Sequence, residues 1–559
     1  MTDAVGRRRF LQTAAAAAAS SLARIPRVDA VPAFDLVIRG ASVVDGTGAP
    51  AFVADVAVNG DAIAAVGAIP AAQGRRVLEA EGLTLTPGFI DIHSHSDRSL
   101  LVYPTAESRV LQGITTELAG NCGSSAAPLE GAGRAAALRD WQEDGVTADW
   151  SGVASYCARV EKTGVAVNHA LLVGQGTLRE NAIGDVDRAL AADEKAGLLR
   201  ALEAALDEGA WGLSTGLEYT PGRFTPTEEL VEMARVVARR GGLYASHVRN
   251  EEAALLEAVD EALAIGRRAG VRVQVSHLKA AGQPNWPKQE GALHLIESAR
   301  RGGVEARADA YPYAAYSTGL TVLLEAWVLD GGRPAMLARL RDPAQRARIR
   351  EELVRRLPRD PGDPSLIVVS STRTDKNRAA VGRTLSEIAQ GWKVGPEEAL
   401  LRLLDEEEGS VGYIGHGMSP DNVERVLAHP LVMWSTDGYS YAPRGRAAEG
   451  RPHPRSYGAA ARMLAHYCRE RKLFDLPTAV KKMTALPADQ IGLRDRGRIA
   501  RGLKADLVLL DFARLRDQAT FEAPQRSPAG VVHVLVNGQA VVTAGAHTGA
   551  RAGRVLRRA

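Results

Sequence analysis

Pro87-Gly88-Phe89-Ile90-Asp91-Ile92-His93-Ser94-His95-Ser96-Asp97 is the stretch on which the reading of the fold turns. A Pro-Gly turn leads into an apolar run, and polar residues begin where that run stops. Residues two apart on a β-strand project to the same side, so His93 and His95 face together and can clasp one metal ion. A strand that is apolar along its length and polar at its C-terminal end fits a barrel whose chemistry sits at its mouth.

Outward from this stretch, strand candidates end at Ile92, Leu118, Val173, Leu213, Ala245, Val275, Ala308 and Trp434, each followed by a polar or glycine-containing loop. Helical stretches alternate with them. Eight such units predict an α/β protein with a (β/α)8 TIM-like barrel over residues 87–489. An Arg- and Leu-rich helical stretch at about 320–357 exceeds an ordinary βα connection and reads as a helical insertion near the barrel mouth. Both flanks are different in kind. Phe34–Arg39, Asp55–Asp61, Ala505–Asp511 and Val531–Gly538 are short alternating strands, so residues 32–86 and 490–545 predict one small β-sandwich domain formed from both chain ends.

Of the 559 residues, 45% are hydrophobic and 24% charged, which suits a soluble globular enzyme and excludes a low-complexity chain. The formal charge is +3, and residues 1–30 carry all of it, so bulk charge gives no support to nucleic-acid binding. Within those residues Gly6-Arg7-Arg8-Arg9-Phe10-Leu11-Gln12 runs into Thr13 and the alanines 14–19, the shape of a twin-arginine signal peptide. The expectation is export by the twin-arginine machinery to the periplasm or beyond, with residues 1–30 removed and no attachment to the membrane afterwards. The cysteines are Cys122, Cys157 and Cys468, too few for a disulfide framework, so an exported chain keeps at least one free thiol.

Further donors sit at equivalent places. Gly242–His247 and Val273–His277 each end a strand on a histidine, and Trp434-Ser435-Thr436-Asp437-Gly438 puts an aspartate after the last strand. One such histidine is more often a buried structural residue, and Asp-Gly is a common turn. Together, at the same ends of successive strands, they converge on the barrel mouth.

These segments resemble the amidohydrolase superfamily, and within it the N-acyl-D-amino-acid deacylase (D-aminoacylase) family. The resemblance covers nearly all of the chain beyond residue 30. It rests on Pro87–Asp97, Gly120-Asn121-Cys122-Gly123, Gly216–Gly222, Tyr244–Arg249, Ser276–Lys279, Asp309–Tyr313, Ser435–Gly438 and His453-Pro454-Arg455. Cys122 divides subtypes: related two-metal hydrolases bridge their metals with a lysine on the fourth strand, and here Gly209–Glu218 has none. The resemblance implies a tightly held zinc on Cys122, His247 and His277, and a second, weaker site on His93, His95 and Asp437. It makes Asp437 the general base and then the acid for the leaving amine, and Arg455 the clamp for a substrate carboxylate. Tyr313, or else Tyr311, assists that clamp, and Lys279 faces the same site. Gln175 stands where relatives often carry histidine, and His416 is placed either at the mouth or in a turn. Cys157 and Cys468 fall in helix-like stretches and read as buried thiols.

The activity implied is hydrolysis of N-acyl-D-amino acids, a small-molecule substrate class. D-dipeptides or cyclic amides and imides stay open beside it, as does a catalytically silent periplasmic binding protein. Composition and spacing leave handedness, acyl group and oligomeric state open.

Overall fold

The computed structural model describes residues 33–357, 363–445 and 449–558, so the expected signal peptide lies outside the described residues. Eight parallel strands build the central body. They are Phe89–Asp91, Ile114–Ala119, a bent third strand at Asn168–Leu171 and Val173–Gly174, Gly212–Gly216, Leu243–His247, Arg272–Val275, Ala306–Ala310 and Val432–Trp434. Hydrogen bonding runs in one order from the third strand through the fourth to the seventh and on to the eighth, and separately from the first to the third. The ring closes where Ser94 bridges Gly438, with the His95 N–H donating to the Gly438 carbonyl at 2.8 Å and the Asp437 N–H to His93 at 2.9 Å. The barrel is therefore complete, and its seam joins the two loops that carry His93, His95 and Asp437.

Burial on both faces makes these strands continuous apolar runs rather than alternating ones. Ile90, Ile92, Leu118, Ala170, Leu172, Leu243, Ala245 and Met433 form the inner core, and Ala488 and Ile491 of the helix Ala485–Ile491 join it. Amphipathic helices such as Thr227–Arg239 and Leu255–Ala269 cover the outside. The strand ends approach one another closely at the mouth: a Cβ on Gly216 would lie 2.1 Å from the Cys122 carbonyl oxygen, so only glycine fits.

Between the seventh and eighth strands the chain leaves the barrel. The helices Gly332–Arg341 and Pro343–Arg356 lie where the sequence places an insertion. The excursion is larger than 320–357, because it also builds an antiparallel sheet from Tyr316–Gly319, Ile367–Ser371 and Gly412–Gly415. It has a hydrophobic core of its own, from Leu320 through Leu353 and Leu400 to Tyr413. The chain ends meet in one continuous nine-stranded sheet. Its joint is Thr84–Pro87, which pairs parallel with Ser42–Val43 and antiparallel with Leu507–Leu510. The last residues return to the barrel, where Val555 bridges His169 of the third strand. No helix among the described residues is long and apolar enough to cross a membrane.

Candidate active site and metal centre

The C-terminal strand ends bring together His93, His95, Cys122, His247, His277 and Asp437. Cys122 Sγ lies 3.3 Å from His93 Nε2 and 3.3 Å from His277 Nε2, and His247 Nδ1 lies 3.0 Å from His277 Nε2. On the other side His95 Nε2 is 3.0 Å and His93 Nε2 3.5 Å from Asp437 Oδ1. Two donor groups share the sulfur, Cys122 with His247 and His277, and Cys122 with His93, His95 and Asp437, and Glu218, His247 and Glu251 form a third beside them.

The donor chemistry suits a metal such as zinc, a thiolate with imidazoles and one carboxylate. Burial pushes the Cys122 thiol up, but the neighbouring His93, His277 and His247 outweigh it and hold it well below the ordinary thiol range. Backbone conformation points the same way. Cys122, His277 and Asp437 have φ of +52°, +34° and +50°, a region that costs a non-glycine residue about 1–3 kcal/mol and is kept where the surroundings impose it. At His277 the constraint is visible, since its N–H donates to Asp309 Oδ1 at 3.0 Å.

Behind the donors stand carboxylates whose roles the sequence reading did not assign. Glu218 Oε2 lies 3.1 Å from His247 Nε2, Glu251 Oε1 3.0 Å from His277 Nδ1, and Asp309 Oδ2 3.5 Å from His93 Nδ1. Each faces the ring nitrogen turned away from the cluster, within hydrogen-bond distance at His247 and His277 and beyond it at His93, as carboxylates behind metal-binding histidines do. Asp309 also accepts from Ser435 Oγ at 2.7 Å and Gln274 Nε2 at 2.6 Å. Burial raises its carboxyl, and the His93 and His277 rings with the Ser435 bond bring it below the usual carboxylate value. Under the seam, Arg109 Nη1 donates to Thr436 Oγ1 at 2.7 Å and to Asp91 Oδ2 at 3.2 Å, and Asp91 Oδ1 accepts the Thr436 N–H at 2.9 Å. This buried network ties the His93 strand to the Asp437 loop.

The cluster forms the floor of a cavity of about 860 Å³. Tyr219 and Tyr439 line it from the barrel loops, and Tyr316, Ser317, Thr318 and Tyr413 from the inserted module. Arg455 opens the helix Arg455–Arg462 and reaches the floor, with Nη1 2.7 Å from Asp437 Oδ2 and the guanidinium 4.8 Å over the Tyr311 ring. Lys279 lines the same cavity, with Nζ 2.5 Å from Glu251 Oε1.

The tyrosines separate. Tyr311 is the platform beneath Arg455, and its hydroxyl faces Met418 Sδ at 3.6 Å. Tyr313, the preferred carboxylate contact in the sequence reading, donates instead to Asp517 Oδ2 at 3.0 Å, and neither tyrosine lies on the cavity wall, Tyr311 reaching it only through Arg455. Its partner comes from the C-terminal segment, which draws the hydroxyl away from the floor. His416 packs edge-on against Phe521, 4.8 Å between ring centres, and is also off the wall. Gln175 is buried behind the wall and donates to Thr225 Oγ1 at 2.8 Å. Cys157 and Cys468 are buried thiols, each pushed up to about 11 by burial.

The sequence profile of the Amidohydrolase family matches residues 76–542. The N-acyl-D-glutamate deacylase of Alcaligenes xylosoxydans xylosoxydans is 38% identical over 525 residues, 94% of this chain and 96% of that one. The chain belongs to the amidohydrolase family, in its D-aminoacylase branch. Among solved structures, this amidohydrolase matches the N-acyl-D-glutamate deacylase of Bordetella bronchiseptica, complexed with zinc and a phosphonate mimic of the tetrahedral intermediate. The TM-score is 0.79 at 34% identity, covering 94% of this chain and 100% of the other. A D-aminoacylase described by its binuclear metal centre, with one-metal activation and second-metal attenuation, matches with TM-score 0.79, 35% identity and the same coverage. At this identity and TM-score both share the fold described above.

Proposed function

We propose that the chain is a zinc-dependent hydrolase of N-acyl-D-amino acids, releasing a carboxylate and the free D-amino acid. The observation that carries the reading is the Cys122–His247–His277 group at the barrel mouth, set beside a buried Asp437–Arg455 pair. The relatives named above supply the substrate class and its handedness. Cys122, His247 and His277 would hold the tight zinc with one position left open; His93, His95 and Asp437, with the shared sulfur, would hold a weaker second metal. Zinc, when bound, polarises the scissile carbonyl and acidifies water.

The chain's own groups do the rest. Asp437 takes the proton of the attacking water on a carboxylate oxygen and hands it to the leaving amine nitrogen. Arg455 and Lys279 receive the substrate carboxylate, and the Tyr311 ring keeps the guanidinium flat for a two-pronged contact. A substrate carboxylate that draws Arg455 to itself releases Asp437 Oδ2 for proton transfer. Purified holoenzyme should turn over N-acetyl-D-amino acids faster than their L forms, D-dipeptides or cyclic imides. Equal rates on both hands, or tight binding without turnover, would remove the assignment.

The same reading includes export to the periplasm by the twin-arginine route. Its support is Gly6–Gln12 and the alanine run that follows. Arg7→Lys with Arg8→Lys should leave an uncleaved, active chain in the cytoplasm; normal export of that variant would exclude the route.

A further inference from the structure

The histidines of the metal centre are not backed alike. His247 and His93 each turn one ring nitrogen to a single carboxylate, Glu218 or Asp309. His277 Nδ1 instead meets two groups, Glu251 Oε1 at 3.0 Å and Lys279 Nζ at 2.8 Å. Lys279 Nζ in turn lies 2.5 Å from that same Glu251 oxygen and 3.0 Å from the His277 carbonyl. All three residues are buried, with 3%, 7% and 4% exposure for His277, Glu251 and Lys279.

Hydrogen-bond polarity makes this arrangement a choice. An ammonium only donates, so pointing it at Nδ1 requires a lone pair there and puts the ring proton on Nε2. That nitrogen faces the Cys122 sulfur at 3.3 Å, and protonated it has nothing to offer a metal. With the proton on Nδ1 and donated to Glu251, Nε2 is free to ligate. The third N–H of Lys279 must then find another acceptor, and Lys279 borders the substrate cavity.

We propose that Glu251 is a positioning residue that selects the ligating tautomer of His277 and, through the same oxygen, turns Lys279 toward the substrate carboxylate. Metal retention and substrate binding are thereby coupled at one side chain. The substrate half rests on the hydrolase reading above; the metal half stands on the donors alone.

Both partners meet one oxygen, which an amide could still supply, so the decisive variant removes the acceptor altogether. With leucine there, His277 Nδ1 is left facing only the Lys279 ammonium, which forces the wrong tautomer. Removing the ammonium relieves the conflict. The experiment follows zinc release from purified holoenzyme into a chelator, with KM for an N-acetyl-D-amino acid measured alongside. Glu251→Leu should loosen zinc by about 10–100-fold, the usual cost of losing such a partner. Glu251→Leu with Lys279→Met should regain most of the zinc retention while KM stays raised, whereas Glu218→Leu, which acts on His247, should not be rescued by Lys279→Met. A fold weakened in general would not recover on a second substitution. Zinc held as tightly in Glu251→Leu as in the parent, or a double variant no better than the single, would overturn the proposal. If Glu251→Leu does not fold, Lys279→Met decides: zinc held at least as tightly as in the parent supports the proposal, and looser zinc overturns it. A parent chain that binds no zinc would instead sink the hydrolase reading.

Discussion

The two donor groups at the barrel mouth share a sulfur and little else. Cys122, His247 and His277 form a set of soft and borderline ligands, and both imidazoles are backed by carboxylates, Glu218 and Glu251. On the other side Asp437 Oδ2 is committed to Arg455 and its Oδ1 is shared between His93 and His95. A group whose outer nitrogens are fixed and whose only anion is a thiolate binds tightly and has nothing to spare for proton transfer. Under the proposed function, a group built on a carboxylate that answers to an arginine would take part in chemistry and hold metal less firmly for that reason, so one half would hold and the other react.

The sharpest way to break this contrast is Cys122→Ser, because the sulfur belongs to both halves. A neutral hydroxyl is a far poorer ligand than a thiolate, so tight zinc should be lost. Losing several kcal/mol of transition-state stabilisation means a fall of about 10³-fold or more in kcat/KM. Metal counting on the purified variant checks it; full zinc with unchanged rate would make Cys122 a merely buried thiol.

Asp437→Asn tests the reactive half alone. Zinc at Cys122, His247 and His277 should remain, KM should move little, and kcat should fall by about 10²–10⁴, the range for a positioned acid–base group. Burial raises the Asp437 carboxyl, but Arg455, His277, His95 and His93 more than offset it and hold it well below the usual carboxylate value. A base with a depressed pKa in the free enzyme loses its proton as pH rises through that low value, so kcat/KM should climb on the acidic side of its profile and be flat above it. That limb should vanish in the variant. Zinc lost in proportion to rate would place Asp437 among the holding ligands.

Arg455→Lys keeps the charge and removes the fork. A charge-assisted hydrogen bond contributes about 1.5–3 kcal/mol, so KM should rise roughly 10–100-fold with kcat less affected. Equal binding of substrates and of their carboxamides by the parent would show that Arg455 does not read the carboxylate. The mildest change is His95→Ala, which removes a donor from the weaker group only. A second metal should be lost, the first kept, and the rate altered by less than about tenfold, since no tight ligand and no proton carrier goes. Loss of both metals would erase the distinction between the halves.

How much of this was legible in the sequence differs by kind of contact. The barrel could be read because parallel strands buried on both faces appear as apolar runs that stop where polar residues begin, and His93, His247 and His277 lie at those stops. Glu218 and Asp309 sit in segments that carried the resemblance and Glu251 lies just beyond one, Tyr244–Arg249, yet nothing local says which ring nitrogen each will face. That depends on the register between the fourth, fifth, sixth and seventh strands, as in Gly216 opposite His247. Tyr311 and Tyr313 are two apart and the sequence favoured Tyr313; the difference is made by Asp517, more than 200 residues downstream, which takes the Tyr313 hydroxyl. The inserted module was read only where it is helical, since strands of four or five residues such as Tyr316–Gly319 leave a weak periodic trace.

The joint at Thr84–Pro87 has a consequence for the order of events during synthesis. That strand is made early, yet its partner Leu507–Leu510 comes almost at the end of the chain. Asp61 similarly waits for Lys504, 443 positions away, and the third barrel strand for the bridge from Val555 to His169. Domains tend to fold as they emerge, and here the opening strands can pair among themselves, Phe34–Val43 with Phe52–Asn59 and that strand with Ala62–Gly67, but the second partner of Thr84–Pro87 arrives only several hundred residues later. One edge of Thr84–Pro87 must therefore spend a long stretch of elongation unpaired, a template for wrong pairing in the nascent chain. A ribosome stalled before residue 500 would present a β-sheet half without its mate, however far the barrel had advanced.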